Sequence, residues 1–120
     1  MTEELVTLET AKLLRKKGFN EYCKNVIDIN NIPRETLYRI NDDLPKQCFS
    51  QPTQSITQKW LREIKNLHIE IFYMRGDYWV YRILTIPEHD IIELPNRPFL
   101  HYKSYEEALE AGLQEALELI

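Results

Sequence analysis

HIEIFYMRGDYWVYRILT (residues 68–85) decides how the chain folds. Two runs of aromatic and β-branched residues flank Arg75-Gly76-Asp77, the pattern of a β-hairpin. Strand alternation sends Ile69, Ile71 and Tyr73 to one face, and His68, Glu70, Phe72 and Met74 to the other. A three-residue loop, Arg75-Gly76-Asp77, sets Glu70 opposite Arg82, Ile71 opposite Tyr81 and Tyr73 opposite Trp79. Each such cross-strand match contributes roughly 0.2–1 kcal/mol. A two-residue Gly76-Asp77 turn is the competitor on turn chemistry. It slips the register by one and sets Ile71 against Arg82, so the longer loop is expected.

Upstream of the hairpin, residues 53–66 have helical spacing, with Ile56, Trp60, Leu61, Ile64 and Leu67 as an apolar stripe. Pro52 suits the start of such a helix, where the first N–H groups have no intrahelical partner. Lys59, Arg62 and Asn66 fall on an adjoining polar side. At the C-terminal end, Ser104-Tyr105-Glu106-Glu107 has the form of a capping box. Leu109, Gly112, Leu113, Ala116, Leu117 and Ile120 then form the apolar face of a helix over residues 105–120, opposed by Glu106, Glu110, Gln114 and Glu118. At the other end, Thr7 caps a helix over residues 8–17, and Gly18 stops it in the left-handed conformation with Phe19 folding back.

Between the first two helices the signals are weaker. Tyr22-Cys23 and Val26-Ile27-Asp28-Ile29 are extended, Asn30-Asn31-Ile32-Pro33 is a turn, and residues 36–40 alternate, together predicting a second hairpin. Residues 41–45 and 49–52 are expected to be loop. Beyond Pro87, residues 91–94 and 99–102 are candidate added strands.

The composition is that of an ordinary globular protein: 43% hydrophobic and 28% charged over 120 residues. This length fits a single domain, residues 1–120. A net charge of −4 counts against a dedicated nucleic-acid binder, whose domain is usually basic. Glu106, Glu107, Glu110, Glu115 and Glu118, set against Lys103, account for that whole charge. The rest is near neutral, with cations gathered at Lys59, Arg62, Lys65, Arg75 and Arg82. Cys23 and Cys48 lack metal-ligand spacing and are expected as free thiols. The first residues, MTEELVTLET, lack the pattern of a secretory signal, and no apolar run reaches the roughly 18 residues of a membrane span. A cytoplasmic protein without a membrane segment is expected.

Chemistry-bearing patterns are absent. Glu88-His89-Asp90 offers three neighbours whose side chains diverge, the mark of a solvated turn rather than a metal or acid–base cluster. His68 and His101 each stand alone in strand-like context. No serine sits in a nucleophile elbow, and three scattered glycines build no phosphate-cradling loop. The expectation is no catalytic residue, no metal and no cofactor. Arg75-Gly76-Asp77 is a turn that needs Gly and Asp, rather than an adhesion signal.

Three blocks, LVTLETAKLLRKKGF, PTQSITQKWLREIKNLHIEI and SYEEALEAGLQEALELI, resemble in the same order a group of short bacterial proteins from prophage-like or mobile-element regions. The resemblance spans much of the chain except a variable stretch from about residue 20 to 50. It implies a setting and carries no activity or site residue.

The expected architecture is α+β: an antiparallel sheet of about three to five strands with two or three helices packed on one face. The expected role is that of a non-enzymatic accessory protein, phage- or mobile-element-related, acting through an unidentified protein partner or self-association. The alternative is a nucleic-acid-binding module using the 53–66 helix and the 68–85 hairpin, the order of elements in winged-helix DNA binders. Lys59, Arg62, Arg75, Tyr78, Trp79, Tyr81 and Arg82 are the candidate partner or nucleic-acid surface, aromatics stacking and cations following phosphates. Phe72, Met74, Tyr78 and Val80 are expected on a sheet face that something must cover.

Overall fold

Thr7 opens the first helix, α1 (Leu8–Lys16), as its N-cap, its Oγ1 accepting from the Thr10 N–H. The computed structural model describes residues 4–92 and 101–120. At the far end of α1, Gly18 takes φ 94°. Phe19 N–H bonds back to Leu14 O at 2.9 Å and Gly18 N–H to Arg15 O at 3.3 Å. This is the Schellman stop that the Lys17-Gly18-Phe19 sequence predicts, and it buries Phe19 completely.

The elements after α1 are β1 (Cys23–Asp28), β2 (Pro33–Arg39), a 3₁₀ turn at Asn41–Asp43, β3 (Cys48–Ser50), α2 (Gln54–Ile64), β4 (Leu67–Met74), β5 (Tyr78–Thr85) and α3 (Tyr105–Leu119). The fold is α+β, with three helices and two antiparallel sheets among the described residues. The strands divide three and two, in the orders β2-β1-β3 and β4-β5. The chain falls into two compact units, Met1–Thr53 and Gln54–Ile120.

In the first unit, the weakly signalled hairpin over residues 22–40 is present as β1 and β2. Residues 49–52, expected as loop, instead contribute to β3, which pairs with β1 through Val26↔Ser50, Ile27↔Phe49 and Asp28↔Cys48. A strand of three residues carries no readable alternation, so only its partner reveals it. Val6, Ala11, Leu14, Phe19, Val26 and Ile27 form the core here. Two polar side chains, neither singled out from the sequence, hold the connecting segment. Arg15 donates to the carbonyls of Pro45 (2.7 Å), Leu44 (3.1 Å) and Cys48. Asn41, 2% exposed, donates to Phe19 O at 2.8 Å and accepts from Ser50 N–H at 2.9 Å.

In the second unit, the register of β4 and β5 is the one the three-residue loop demands: Glu70↔Arg82, Ile71↔Tyr81 and Tyr73↔Trp79. Gly76 and Asp77 supply the positive φ values of the turn, 104° and 66°. α3 lies against both strands, and α2 against β4 and α3. Close approach centres on Gly112, where an added Cβ would stand 2.9 Å from Ile69 Cγ2 and 3.2 Å from Tyr81 Cγ. Ser104 caps α3 by accepting from Glu107 N–H at 3.1 Å, but the Glu107 carboxylate bonds the N–H of Lys103 rather than that of Ser104.

Two expectations for the helices are corrected. α2 buries Gln54, Thr57, Trp60 and Leu61, leaving Ile56 46% and Ile64 56% exposed. Ile56 stands five residues from Leu61, about 140° round the helix, and Ile64 ends it. Polar residues enter the buried side because α3 and β4 offer partners: Gln54 Nε2 donates to Glu106 O and Glu110 Oε1, each at 2.9 Å, and Gln58 Nε2 to Ile69 O at 2.9 Å. Glu110 is therefore turned toward α2 rather than opposed to the apolar face of its helix. Of the candidate added strands, Ile91 and Tyr102 form isolated bridges to β5, at Leu84↔Ile91 and Trp79↔Tyr102. Of the same candidates, residues 93, 94, 99 and 100 lie outside the described residues.

Candidate interaction surfaces

The seven residues singled out from sequence do not form one surface. Tyr81 faces α3 at Gly112 and is 4% exposed, so its place in a stacking surface is corrected: it is core. Trp79 shares that side of the hairpin and is half-buried, its ring 5.0 Å from Tyr73 and 5.7 Å, edge-on, from Tyr105. Tyr78 and Arg82 occupy the opposite side, as β5 alternation requires. Arg75 is exposed at the tip. Lys59 is exposed on α2 and Arg62 half-exposed; neither belongs to the buried set of that helix.

The outer side of the hairpin is closed in part by its own side chains. Arg82 pairs with Glu70 at 3.2 Å and lies over the Phe72 ring, 4.6 Å from its centroid. Tyr78 stacks on His101, centroids 3.7 Å apart and planes 18° apart. Phe72, Tyr78 and Val80 are consequently half-buried, and Met74 is exposed at 37%. Arg82 is thus committed to an intramolecular carboxylate. His68 is half-buried on this side, and His89 is exposed with φ 65°.

A more open surface lies in the first unit, on β2. Every residue from Pro33 to Arg39 is exposed. Leu37 is 78% and Tyr38 68% exposed, and Tyr22, Ile29 and Ile32 are exposed at 69%, 52% and 47%. Alternation in residues 36–40 separates Leu37 from Tyr38 by face. Both are outside because neither face of β2 is covered: Arg34 and Glu35, on opposite faces in the regular part of the pairing, are exposed as well. The pairing is also irregular at this point. Asn25 pairs with Glu35 and Cys23 with Arg39, so Lys24 alone on β1 faces Thr36, Leu37 and Tyr38 on β2. Two surplus residues make a bulge.

β2 is also a sheet edge, bonded on one side to β1. Asn25 O accepts from Gln51 N–H at 2.8 Å, toward β3. Asn25 therefore turns its backbone away from β2, and Glu35, across from it, turns its own N–H and C=O away from β1. Alternation along β1 gives Cys23 the same orientation, and Arg39, its partner, the same outward one. The flanking charges pair Lys24 with Glu35 at 3.5 Å, exposed on both sides and therefore weak, and Arg34 with the largely buried Asp28 at 3.7 Å.

Both cysteines are free thiols. Burial pushes the Cys23 thiol up to about 11. Tyr73 donates to Asp77 Oδ1, and that bond raises its phenol above the usual value of 10.0. Burial raises Tyr102 likewise, against a lowering bond with Tyr81. All three groups move away from neutrality, so none is poised for acid–base work at physiological pH. Among the described residues no group of three or more His, Cys, Asp or Glu is arranged to hold a metal ion. No described helix is long and apolar enough to cross a membrane. No protein-family model matches the chain, and neither curated proteins nor solved structures yield a match.

Proposed function

We propose that the chain is a non-enzymatic accessory protein that works by protein–protein contact, and that β2 is the contact surface. The carrying observation is the bulged edge strand, exposed along its whole length, with Leu37 and Tyr38 held out into solvent. Monomeric proteins normally turn such side chains inward and blunt their sheet edges. An edge with outward backbone groups and apolar side chains suits β-strand addition, where main-chain bonds give affinity and side chains give selectivity. The setting we propose is bacterial and phage- or mobile-element-related, on the likeness of the three sequence blocks. The cytoplasm is the compartment that fits it.

Nucleic-acid binding has less support. Its intended stacking residue Tyr81 is core, and Arg82 is paired with Glu70. Affinity capture from a native-host lysate, with and without nuclease, tests the reading. The bait is the full chain, compared with a Leu37→Asp/Tyr38→Ala variant whose circular dichroism shows it folded. A discrete protein is expected to survive nuclease and be lost from the variant. Recovery of nucleic acid alone, or capture indifferent to the variant, refutes it.

A further inference from the structure

We infer that the occupant of the β2 edge is a second copy of this chain, joined antiparallel about a two-fold axis at Leu37; this inference rests on the reading of β2 as a contact surface. Three observations lead there. First, the backbone N–H and C=O of Glu35 and Arg39 point away from β1, by the register with Asn25 and Cys23 and the Asn25–Gln51 bond. They are the groups an added antiparallel strand would bond.

Second, the sequence of the edge selects one self-pairing. In the strand Pro33–Arg39, PRETLYR, a two-fold axis at Leu37 sets Glu35 opposite Arg39 of the second copy, and Arg39 opposite its Glu35. Leu37 meets Leu37 between these two ion pairs, and Thr36 meets Tyr38 on the reverse face. An axis at Glu35 opposes two glutamates. An axis at Arg34 opposes two arginines, and an axis between neighbouring residues would pair positions of opposite orientation, which an antiparallel ladder does not allow. An axis at Thr36 or at Tyr38 forms no ion pair within the strand. Like charges directly opposed disfavour a register and opposite charges favour it. An isologous contact of this kind closes after two copies, because each copy presents the same patch to the other.

Third, both ends of the strand are bounded. Pro33 donates no N–H and ends the strand on one side, and the Asn41–Asp43 turn follows it on the other. Between them stand seven residues, Arg34 to Ile40, with Leu37 in the middle and 78% exposed. A window this short, bounded at both ends, limits the length of any strand that pairs with it.

Sedimentation equilibrium of the full chain, over a wide concentration range, tests the inference. The wild type is expected to be a monomer–dimer system whose affinity falls with salt, since both ion pairs are exposed. Glu35→Arg sets two arginines against each other at both ends of the contact, and Arg39→Glu does the same with two glutamates. Each variant alone should weaken the dimer by about tenfold or more. An equimolar mixture of the two single variants should recover it. The arginine introduced in one chain then faces the glutamate introduced in the other at one end of the contact, and the native pair stands at the other end. Glu35→Arg/Arg39→Glu in one chain should also recover it. Recovery in the mixture excludes misfolding as the cause of the single losses.

A wild type that stays monomeric throughout overturns the second copy as occupant. A dimer indifferent to the charge reversals overturns it equally. If the chain is monomeric yet the Leu37→Asp/Tyr38→Ala variant still loses a captured protein, β2 remains a contact surface for a different partner. If that variant loses nothing, both readings fall together.

Discussion

Gly112 is where α3 meets the hairpin most closely, and Gly112→Ala should destabilise the protein. On an open helix face the same substitution stabilises by about 1 kcal/mol, since alanine is the better helix former. Here the new methyl would stand 2.9 Å from Ile69 Cγ2 and 3.2–3.3 Å from the Tyr81 ring carbons. Carbon atoms in good contact lie about 3.5–4.0 Å apart, so roughly 0.6 Å of movement is needed at the closest pair. Neither neighbour yields easily. Ile69 is 1% exposed and Tyr81 4% exposed, and the χ1 of isoleucine is stiff. Overpacking of this kind costs about 1–3 kcal/mol. Set against the helix gain, the net change is a loss of about 1 kcal/mol, or roughly 4 °C in Tm.

Urea unfolding followed by tryptophan fluorescence measures it, with the slope checked against wild type. Ile69→Ala provides the partner of a double-mutant cycle. It removes Cγ2, and in that background Gly112→Ala should become neutral or stabilising, a coupling that independent sites do not show. A stabilisation of about 1 kcal/mol by Gly112→Ala alone would refute the close-packing argument.

Two further predictions concern the first unit. Asn41→Ala leaves Phe19 O and Ser50 N–H without the partner that each has in a buried site, and should cost roughly 2–4 kcal/mol in urea unfolding; a loss below about 1 kcal/mol would mean that solvent replaces the amide. For Cys23, the unfolded thiol ionises near 9.0 and the folded one near 11. Between those values the unfolded chain binds fewer protons, so stability falls as pH rises through the window. The wild type should lose more stability than Cys23→Ala between pH 9 and 11, the two curves running parallel below it; curves parallel throughout would remove the argument.

How much is legible in the sequence varies with the range of the interaction concerned. The hairpin register follows from a two-residue period and a Gly-Asp turn, both local, and the structure reproduces it pair for pair. Thr7, Gly18 and Ser104 are readable as helix ends because capping bonds span only a few residues. Arg15 and Asn41 are not readable in this way, because their partners lie 9 to 33 residues away and nothing in either residue's own neighbourhood marks it. Of the candidate surface, strand alternation sets Tyr78 and Arg82 on one side and Trp79 and Tyr81 on the other. That Tyr81 is core depends on α3 covering its side.

By itself, then, the sequence determined the α+β class, the caps and the paired strands of the strong hairpin, since these rest on short-range periodicity and turn chemistry. Only the tertiary structure decided which side of α2 is buried, that Cys48–Ser50 is a strand, and that Leu37 and Tyr38 both stand in solvent. Those outcomes depend on which distant segment supplies the neighbouring backbone. The exposure of β2 is the clearest case: both of its faces are open, and that depends on which segments pack against the sheet once β1 and β2 have met.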